Sequence, residues 1–449
     1  MVPRKLRAPL LAGLLIGAIF LAFAGDGVDA YFTPDDMMNL YVSWSASPAG
    51  LLINDRPLGA LVYRAMFAVF GLHPLGYRLV CFALLLANLA LLYRFCRSLS
   101  GSREVAALAC LLGAYHAHLA DLYYSTGTIY DLLCCLFFLL AFNLYLNVRE
   151  SAACLSWRQT AAVLALYVCA LASKEMAVLL PVYVLLYEWP RVLRIRFLWM
   201  AVPLTAAYAA WKVAGPHAMT ANPAYAVHPS LHVFLASWKA YLNDLFYGAI
   251  TFSTIKLVLL WAAVTLFAVL ARRRYIWMAW CILMLGVLPF IFIAPRGFFV
   301  MYLVLPGWYL FAAAALVSLR EQIARWAEPL DVQPAQLALF VVVALFLIPL
   351  HRAEKPGGKA WVAASHQQVR AVLGVLEQRY PTMPKGSRVL FLSDPYDPGD
   401  WILTSMFRLE YHDQELRVDR ARENPSLSSQ QDAYTHIFTL DGNGLQVLK

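Results

Sequence analysis

Long apolar runs separated by short polar segments fill the first 350 residues. A membrane-crossing helix needs about 20 mostly apolar residues, and about eleven segments approach that length. They lie at 8–24, 75–95, 104–121, 128–148, 159–173, 176–190, 197–214, 254–271, 275–294, 298–319 and 335–350. A long loop, 25–74, separates the first two. Within it, 36–47 and 58–71 are too short or too polar to cross and read as amphipathic helices in the interface. The stretch 230–247 has the same character. After 350 the pattern changes. Residues 359–379 and Asp400 to Tyr411 predict helices, and Ser387 to Asp394, Glu415 to Asp419, Tyr434 to Leu440 and Leu445 to Leu448 predict short strands. The expected architecture is an all-α polytopic membrane protein with a small C-terminal α/β module. Its membrane domain covers 1–350, including the loop 25–74, and a separate extracytoplasmic domain covers 351–449.

Charge orients the spans. Arg4, Lys5 and Arg7 precede the first run. Alternate loops then carry Arg94, Arg97 and Arg103; Arg149 and Arg158; Arg191, Arg194 and Arg196; Arg272, Arg273 and Arg274; Arg320 and Arg325. The other loops hold isolated cations and most of the loop carboxylates. This asymmetry places the N-terminus in the cytoplasm and both 25–74 and the tail outside. A basic start before an apolar run also suits a signal peptide, but the spans that follow make it a retained first helix. A bacterial inner membrane is expected rather than the endoplasmic reticulum, from the short chain and the lack of a retention signal.

Composition narrows the class. Charged residues make up 14% of the chain, against about 25% in soluble domains. The net charge of +9 sits in the inward loops, so it sets topology and is no nucleic-acid footprint. The eight cysteines lie in or beside apolar runs, without a CxxC pair or a disulfide framework.

Candidate chemistry gathers at the outer ends of the spans. Asp35 and Asp36 follow the first run closely. They read either as a solvated loop tip or as a catalytic base at the lipid boundary. Asp131, at the start of the fourth run, is either an acid favoured by the helix dipole or one facing a cavity. Lys174-Glu175 interrupts an apolar run, as a self-paired turn or as a cation held for a phosphate. Arg56, Lys212, Lys239 and Arg296 are further outer cations, either interfacial anchors or headgroup contacts. His116, His118 and Asp121 lie together but do not share one helical face, which argues against a metal site. His73, His217, His228 and His232 are scattered.

Several local patterns also occur in a fixed order. Asp35-Asp36 stand in the first outer loop. Arg56-Pro57-Leu58-Gly59 precedes a short interfacial segment, and Tyr93-Arg94-Phe95-Cys96-Arg97 ends the second span. Tyr124-Ser125-Thr126-Gly127-Thr128-Ile129-Tyr130-Asp131 opens the fourth span, and Ser173-Lys174-Glu175 turns between the fifth and sixth. Met301-Tyr302-Leu303-Val304-Leu305-Pro306 lies in a late span. Together they resemble the GT-C superfamily of polytopic glycosyltransferases, especially its protein O-mannosyltransferase-like and aminoarabinose-transferase-like branch. The family's late Arg-Tyr-Leu-x-Leu-Pro stretch lacks its arginine here, and Arg296 stands some way earlier. The resemblance covers residues 1–320 and not the tail.

The resemblance implies transfer of a hexosyl or pentosyl group from a polyprenyl-phosphate donor to a protein or lipid/glycan acceptor on the outer face. Asp35 is then expected as general base in an inverting displacement, with Asp36 and Asp131 orienting base or acceptor. Lys174 is the first choice for the donor phosphate, with Arg56 or Arg296 second. No cofactor follows from the motifs, and the need for a divalent metal stays open. The tail is expected to act as a lid or docking module. Other classes fit the apolar runs too. A flippase for lipid-linked sugars would carry charges at mid-span and paired broken helices. A polysaccharide polymerase or ligase would favour a large outer loop with Arg and His. A non-catalytic scaffold would use the tail for binding.

Overall fold

A computed structural model describes residues 4–151, 154–189, 195–215, 225–326, 332–441 and 444–449. Arg191, Arg194 and His217 lie outside the described residues. In chain order the helices are α1 (Arg4–Ala24), α2 (Pro34–Ser45), α3 (Pro48–Leu52), α4 (Pro57–Phe70), α5 (Pro74–Ser100) and α6 (Arg103–Gly113). They continue with α7 (Ala120–Tyr124), α8 (Ile129–Ser151), α9 (Trp157–Leu171), α10 (Leu179–Glu188), α11 (Arg196–Ala214) and α12 (Leu231–Leu245). The last are α13 (Thr254–Ala271), α14 (Arg274–Leu285), α15 (Leu305–Trp326), α16 (Val332–Arg379) and α17 (Ile402–Glu410). The strands are β1 (Arg388–Ser393), β2 (Arg417–Arg420), β3 (His436–Asp441) and β4 (Gly444–Val447).

Local chemistry sets the helix starts. The helices α2 to α5 each open on proline, whose fixed φ and missing N–H suit the first helical position. Serine or threonine side chains cap α2, α3, α6, α9, α12 and α13.

Six of the described helices are long and apolar enough to cross a membrane, or seven if one bent pair counts as a single span. Shorter apolar helices, Pro57–Phe70, Trp157–Leu171 and Arg274–Leu285, supplement them. Length and composition alone therefore do not yield the expected count of eleven. The run 104–121 differs most from expectation. It breaks after Gly113 and resumes at Ala117 with a bend of 65°. His116 at the break has extended backbone, φ −150 and ψ 122. The backbone N–H of Ala117 that the break frees donates instead to the Tyr247 hydroxyl at 2.9 Å, which satisfies a group that lipid could not. The run 335–350 is longer than expected, because α16 continues unbroken for 48 residues through Pro349 and Pro356.

Contacts divide the chain into two compact units. The first comprises Met1–Asp26, Phe82–Ala120 and Ile129–Gly358. Its centre is α8, packed on α9, while α6 and α14 flank α15. The apolar window of α8 is 78% buried and that of α13 only 17%. Ile255, Val258, Leu259, Leu266, Val269 and Leu270 lie exposed on α13, as expected of a helix whose outer solvent is hydrocarbon. Ion pairs join helix ends: Arg320 to Glu104 at 2.9 Å and Arg149 to Glu188 at 2.5 Å.

The second unit comprises Gly27–Cys81, Asp121–Thr128 and Lys359–Lys449. It contains a four-stranded sheet in the order β2-β1-β3-β4. The central strand β1 is parallel to β2 and β3, and β4 closes the edge antiparallel to β3. Helix α17 packs on the sheet through Phe407, whose ring lies 5.7 Å from that of Phe391. It also packs on α2, where Arg408 donates to the Tyr41 hydroxyl at 2.5 Å. The tail is thus built into one unit with the helix that begins Pro34-Asp35-Asp36.

Candidate active site

The acid pair opens α2. Thr33 caps the helix: its hydroxyl accepts the N–H of Asp36 at 3.2 Å, and the Asp36 carboxylate accepts the N–H of Thr33 at 2.8 Å. This reciprocal box turns the Asp36 side chain back toward the chain. The other carboxylate oxygen of Asp36 accepts the Ser125 hydroxyl at 2.9 Å. Asp36 is 1% exposed, whereas its neighbour Asp35 is exposed to solvent. Burial pushes the Asp36 carboxyl above the usual carboxylate range, and the Thr33 N–H, the Arg78 guanidinium and the Ser125 hydroxyl oppose that rise.

Residues 123–127 form the wall against this pair. Arg78, itself buried, donates to the Tyr123 carbonyl at 2.7 Å, to the Thr126 hydroxyl at 3.2 Å and to the Gly27 carbonyl at 3.2 Å. Tyr63 donates to the Thr126 carbonyl at 2.7 Å. The segment is therefore held by Arg78 and Tyr63 while Ser125 reaches Asp36. Gly127 comes so close that a β-carbon there would collide with the Asp35 carboxylate and sit 3.3 Å from an Asp36 oxygen. Only glycine lets the backbone approach this closely. Arg56 precedes α4 in the same unit, half-buried, with its N–H bonded to Asn54 at 2.9 Å.

Asp131 and Lys174 meet in the first unit. Asp131 is the third residue of α8. Lys174 has extended backbone, φ −160 and ψ 147, just before the turn Glu175–Val178. Its ammonium donates to Asp131 at 2.5 Å, with both side chains buried. It also lies 5.1 Å from the Phe299 ring centre. Lys174 thus reaches across the bundle to Asp131. Arg296 lies in the same unit, stacked 4.5 Å over Tyr225, with its N–H bonded to Tyr241 at 3.3 Å. One guanidinium nitrogen of Arg296 is buried without a hydrogen-bond partner among the described residues.

The histidines do other work. His118 contacts Asp244 at 3.3 Å. The His116 ring stacks 4.2 Å from Tyr247, whose hydroxyl lies 3.0 Å from His351 Nδ1. Among the described residues no group of three or more His, Cys, Asp or Glu side chains is arranged to hold a metal ion.

Sequence reading did not single out Thr33, Arg78 or Gly127 as site residues. The Thr33-x-x-Asp36 spacing is a capping-box signature and could have separated the two acids. Nothing in the sequence signals that Arg78 and Gly127 converge on them.

The described residues combine several helices of membrane-spanning length and apolarity with a small C-terminal sheet, and a solved protein shares this fold. No protein-family model matches the chain, and no curated protein does. Among solved structures it is similar to ArnT from Cupriavidus metallidurans bound to undecaprenyl phosphate, with a TM-score of 0.55 and 14% identity, covering 96% of this chain and 93% of that one. The apo structure of the same protein gives a TM-score of 0.50 and 13% identity over the same shares. The likeness extends through the tail, which the sequence motifs did not reach.

Proposed function

We propose that the protein transfers a sugar from a polyprenyl-phosphate donor to an acceptor hydroxyl or other nucleophile at the outer membrane surface, with inversion at the anomeric carbon. The observation that carries this reading is the split within the acid pair. Asp36 is buried and held on both oxygens, while Asp35 is exposed one residue earlier. The exposed Asp35 suits the base, since an acceptor can reach it. Asp36 is a positioning residue that fixes the start of α2 and so the direction of Asp35.

In the step, the acceptor oxygen forms a bond to the anomeric carbon and the bond from that carbon to the donor phosphate oxygen breaks. The acceptor proton passes to Asp35, and the polyprenyl phosphate leaves with the electron pair. A cation near the leaving oxygen lowers the barrier. Arg56 is the candidate cation in the unit that holds Asp35. Arg296, with part of its guanidinium buried and unpartnered among the described residues, and Lys174, paired with Asp131, belong to the other unit, and a part for them in this step rests on the sequence resemblance. The fold's likeness to a protein solved with undecaprenyl phosphate supports a polyprenyl donor. A bacterial inner membrane, with the tail outside the cell, fits the arginine distribution of the loops.

The test is donor consumption by the purified full chain in nanodiscs, supplied with undecaprenyl-phosphate-linked sugars and a membrane extract as acceptor. Wild type should release undecaprenyl phosphate, and Asp35→Asn should not. Full turnover by folded Asp35→Asn would refute the base assignment, and no turnover of any such donor by wild type would refute the reading as a whole.

A further inference from the structure

Within the first unit a cleft opens where α8 ends and α11 begins. Arg149, Cys154, Leu155, Ile195, Arg196 and Phe197 line it, and it encloses about 240 Å³ with its open mouth included. Packing fixes its walls. The Phe197 ring lies 6.0 Å from that of Tyr145 on α8 and 6.2 Å from that of Tyr167 on α9. Glu188, at the end of α10, is buried. It accepts two bonds from Arg149, at 2.5 and 2.8 Å, and one from the Tyr145 hydroxyl at 2.8 Å. The inner arginine is thus held by a carboxylate that balances its charge.

Arg196 is held by other means. It is exposed, and its guanidinium lies 5.5 Å over the Trp157 ring. An aromatic face holds a cation without using its N–H donors. Arg196 makes no hydrogen bond and no ion pair among the described residues. From Arg196 an apolar track runs along α11. At about 100° per residue, Trp199, Met200 and Pro203 fall within about 60° of Arg196, and all three are exposed. Only 22% of the apolar window of α11 is buried. A helix facing water would be polar on this side, and an apolar side suits contact with acyl chains. Trp157, 64% exposed beside the arginine, is a residue type that settles at the headgroup level.

We propose that this cleft binds an anionic phospholipid, with the phosphate on Arg196, Arg149 behind it, and an acyl chain along Trp199, Met200 and Pro203. Basic pockets between membrane helices on the cytoplasmic side recognise such headgroups. The open edge of a guanidinium takes two phosphate oxygens at once. A zwitterionic headgroup brings an ammonium that the arginines repel, so the preferred lipid carries net negative charge. The occupant is a lipid, because a soluble phosphate would gain nothing from the apolar track. The leaflet is the cytoplasmic one on the orientation proposed above from the loop arginines, and nothing else is taken from the transfer reading.

The experiment counts the lipids that the full chain retains when native mass spectrometry releases it from nanodiscs of equal phosphatidylglycerol and phosphatidylcholine. Wild type should retain phosphatidylglycerol over phosphatidylcholine. Arg196→Ala should lower that preference about fivefold, the scale of one cation at a membrane surface, and Arg196→Lys should keep most of it. Arg325→Ala, which removes another exposed arginine of an inward loop, should change nothing. Cys154 locates the lipid, since it is exposed and lines the cleft. Peptide mapping after reaction with a neutral maleimide should show slower labelling of Cys154 in phosphatidylglycerol discs than in phosphatidylcholine discs, and Arg196→Ala should remove the difference. Equal retention of the two lipids by wild type, an equal loss in Arg325→Ala, or labelling of Cys154 that ignores the lipid would overturn the site. Protection of Cys154 by glycerol 3-phosphate in phosphatidylcholine discs would overturn the lipid assignment in favour of a soluble phosphate. A wild type that shows the lipid preference but consumes no polyprenyl-linked sugar would count against the transfer reading and leave this site standing.

Discussion

Asp36 and Asp131 occupy the same position in two helices, each the third residue, in α2 and α8. Both are buried acids at a helix start, where the dipole favours negative charge. They are stabilised by different means. Asp36 receives neutral donors, a backbone N–H and a serine hydroxyl, with Arg78 acting from beyond the Thr126 hydroxyl. Asp131 receives an ammonium directly, at 2.5 Å. The first arrangement orients a carboxylate and leaves its neighbour Asp35 open to solvent. The second cancels two charges and ties α8 to the turn before α10. One is built to aim a group and the other to join helices, although in sequence both read as an acid beside an apolar run.

The largest effect that separates the two should come from Asp35→Asn. It should lower turnover by about 10²–10⁴-fold, the usual contribution of a positioned base, with no change in thermal midpoint. For the second acid, Lys174→Met should cost about 3–5 kcal/mol of stability, as expected when one partner of a buried pair is removed. Lys174→Met/Asp131→Leu should recover most of that loss in a thermal melt. If the double variant regains stability but not turnover, the pair also serves catalysis. Gly127→Ala should fold and yet lose roughly 10²-fold in kcat, because a displaced base of about 1 Å is that costly. Ser125→Ala should cost about 1–3 kcal/mol, since it removes one of the hydroxyls that stabilise a buried carboxylate, and should raise KM little.

The smallest test uses pH. Burial holds the Asp36 carboxyl above its ordinary range. The folded state therefore keeps a proton there longer than the unfolded state does. Its contribution to stability is complete below the unfolded value and is lost as pH rises through the folded one. Wild type should lose thermal stability across that acidic window, and Asp36→Asn should flatten the slope. An unchanged slope in Asp36→Asn would assign the effect to another carboxylate.

Much of the architecture was legible because bilayer physics leaves few options. A chain with this apolar repeat must pair its backbone inside helices, and the strands of the tail follow from period-two alternation. The break at His116 was not legible, since Gly113 to Ala117 carries no proline and only one polar residue, and the compensating Tyr247 lies far along the chain. The full length of α16 was hidden by Pro349 and Pro356, which read as stops but are accommodated. Asp35, Asp36, Asp131 and Lys174 stood out as charges in apolar surroundings. Their partners did not. Ser125, Thr126 and Gly127 stood out only as part of the stretch before Asp131 until the fold set them against α2, and Arg78 reads as one more cation of an apolar helix that also carries Arg94 and Arg97. The link from α17 to α2 through Arg408 and Tyr41 has no signal in the chain at all.

On α16 the Lys359 ammonium lies 5.7 Å over the Tyr124 ring and His366 Nε2 lies 2.9 Å from the Tyr124 carbonyl, and this spacing has a consequence for how the segment can change in length. Each residue added or removed turns the rest of the helix by about 100° and shifts it by about 1.5 Å. A single deletion between Lys359 and His366 would swing Lys359 off the tyrosine face while leaving every neighbouring residue in place. An insertion of seven would nearly restore the phase but move the lysine about 10 Å along the axis. The stretch can therefore tolerate many substitutions and almost no change in length. Relatives that keep this packing on Tyr124 should agree here in length.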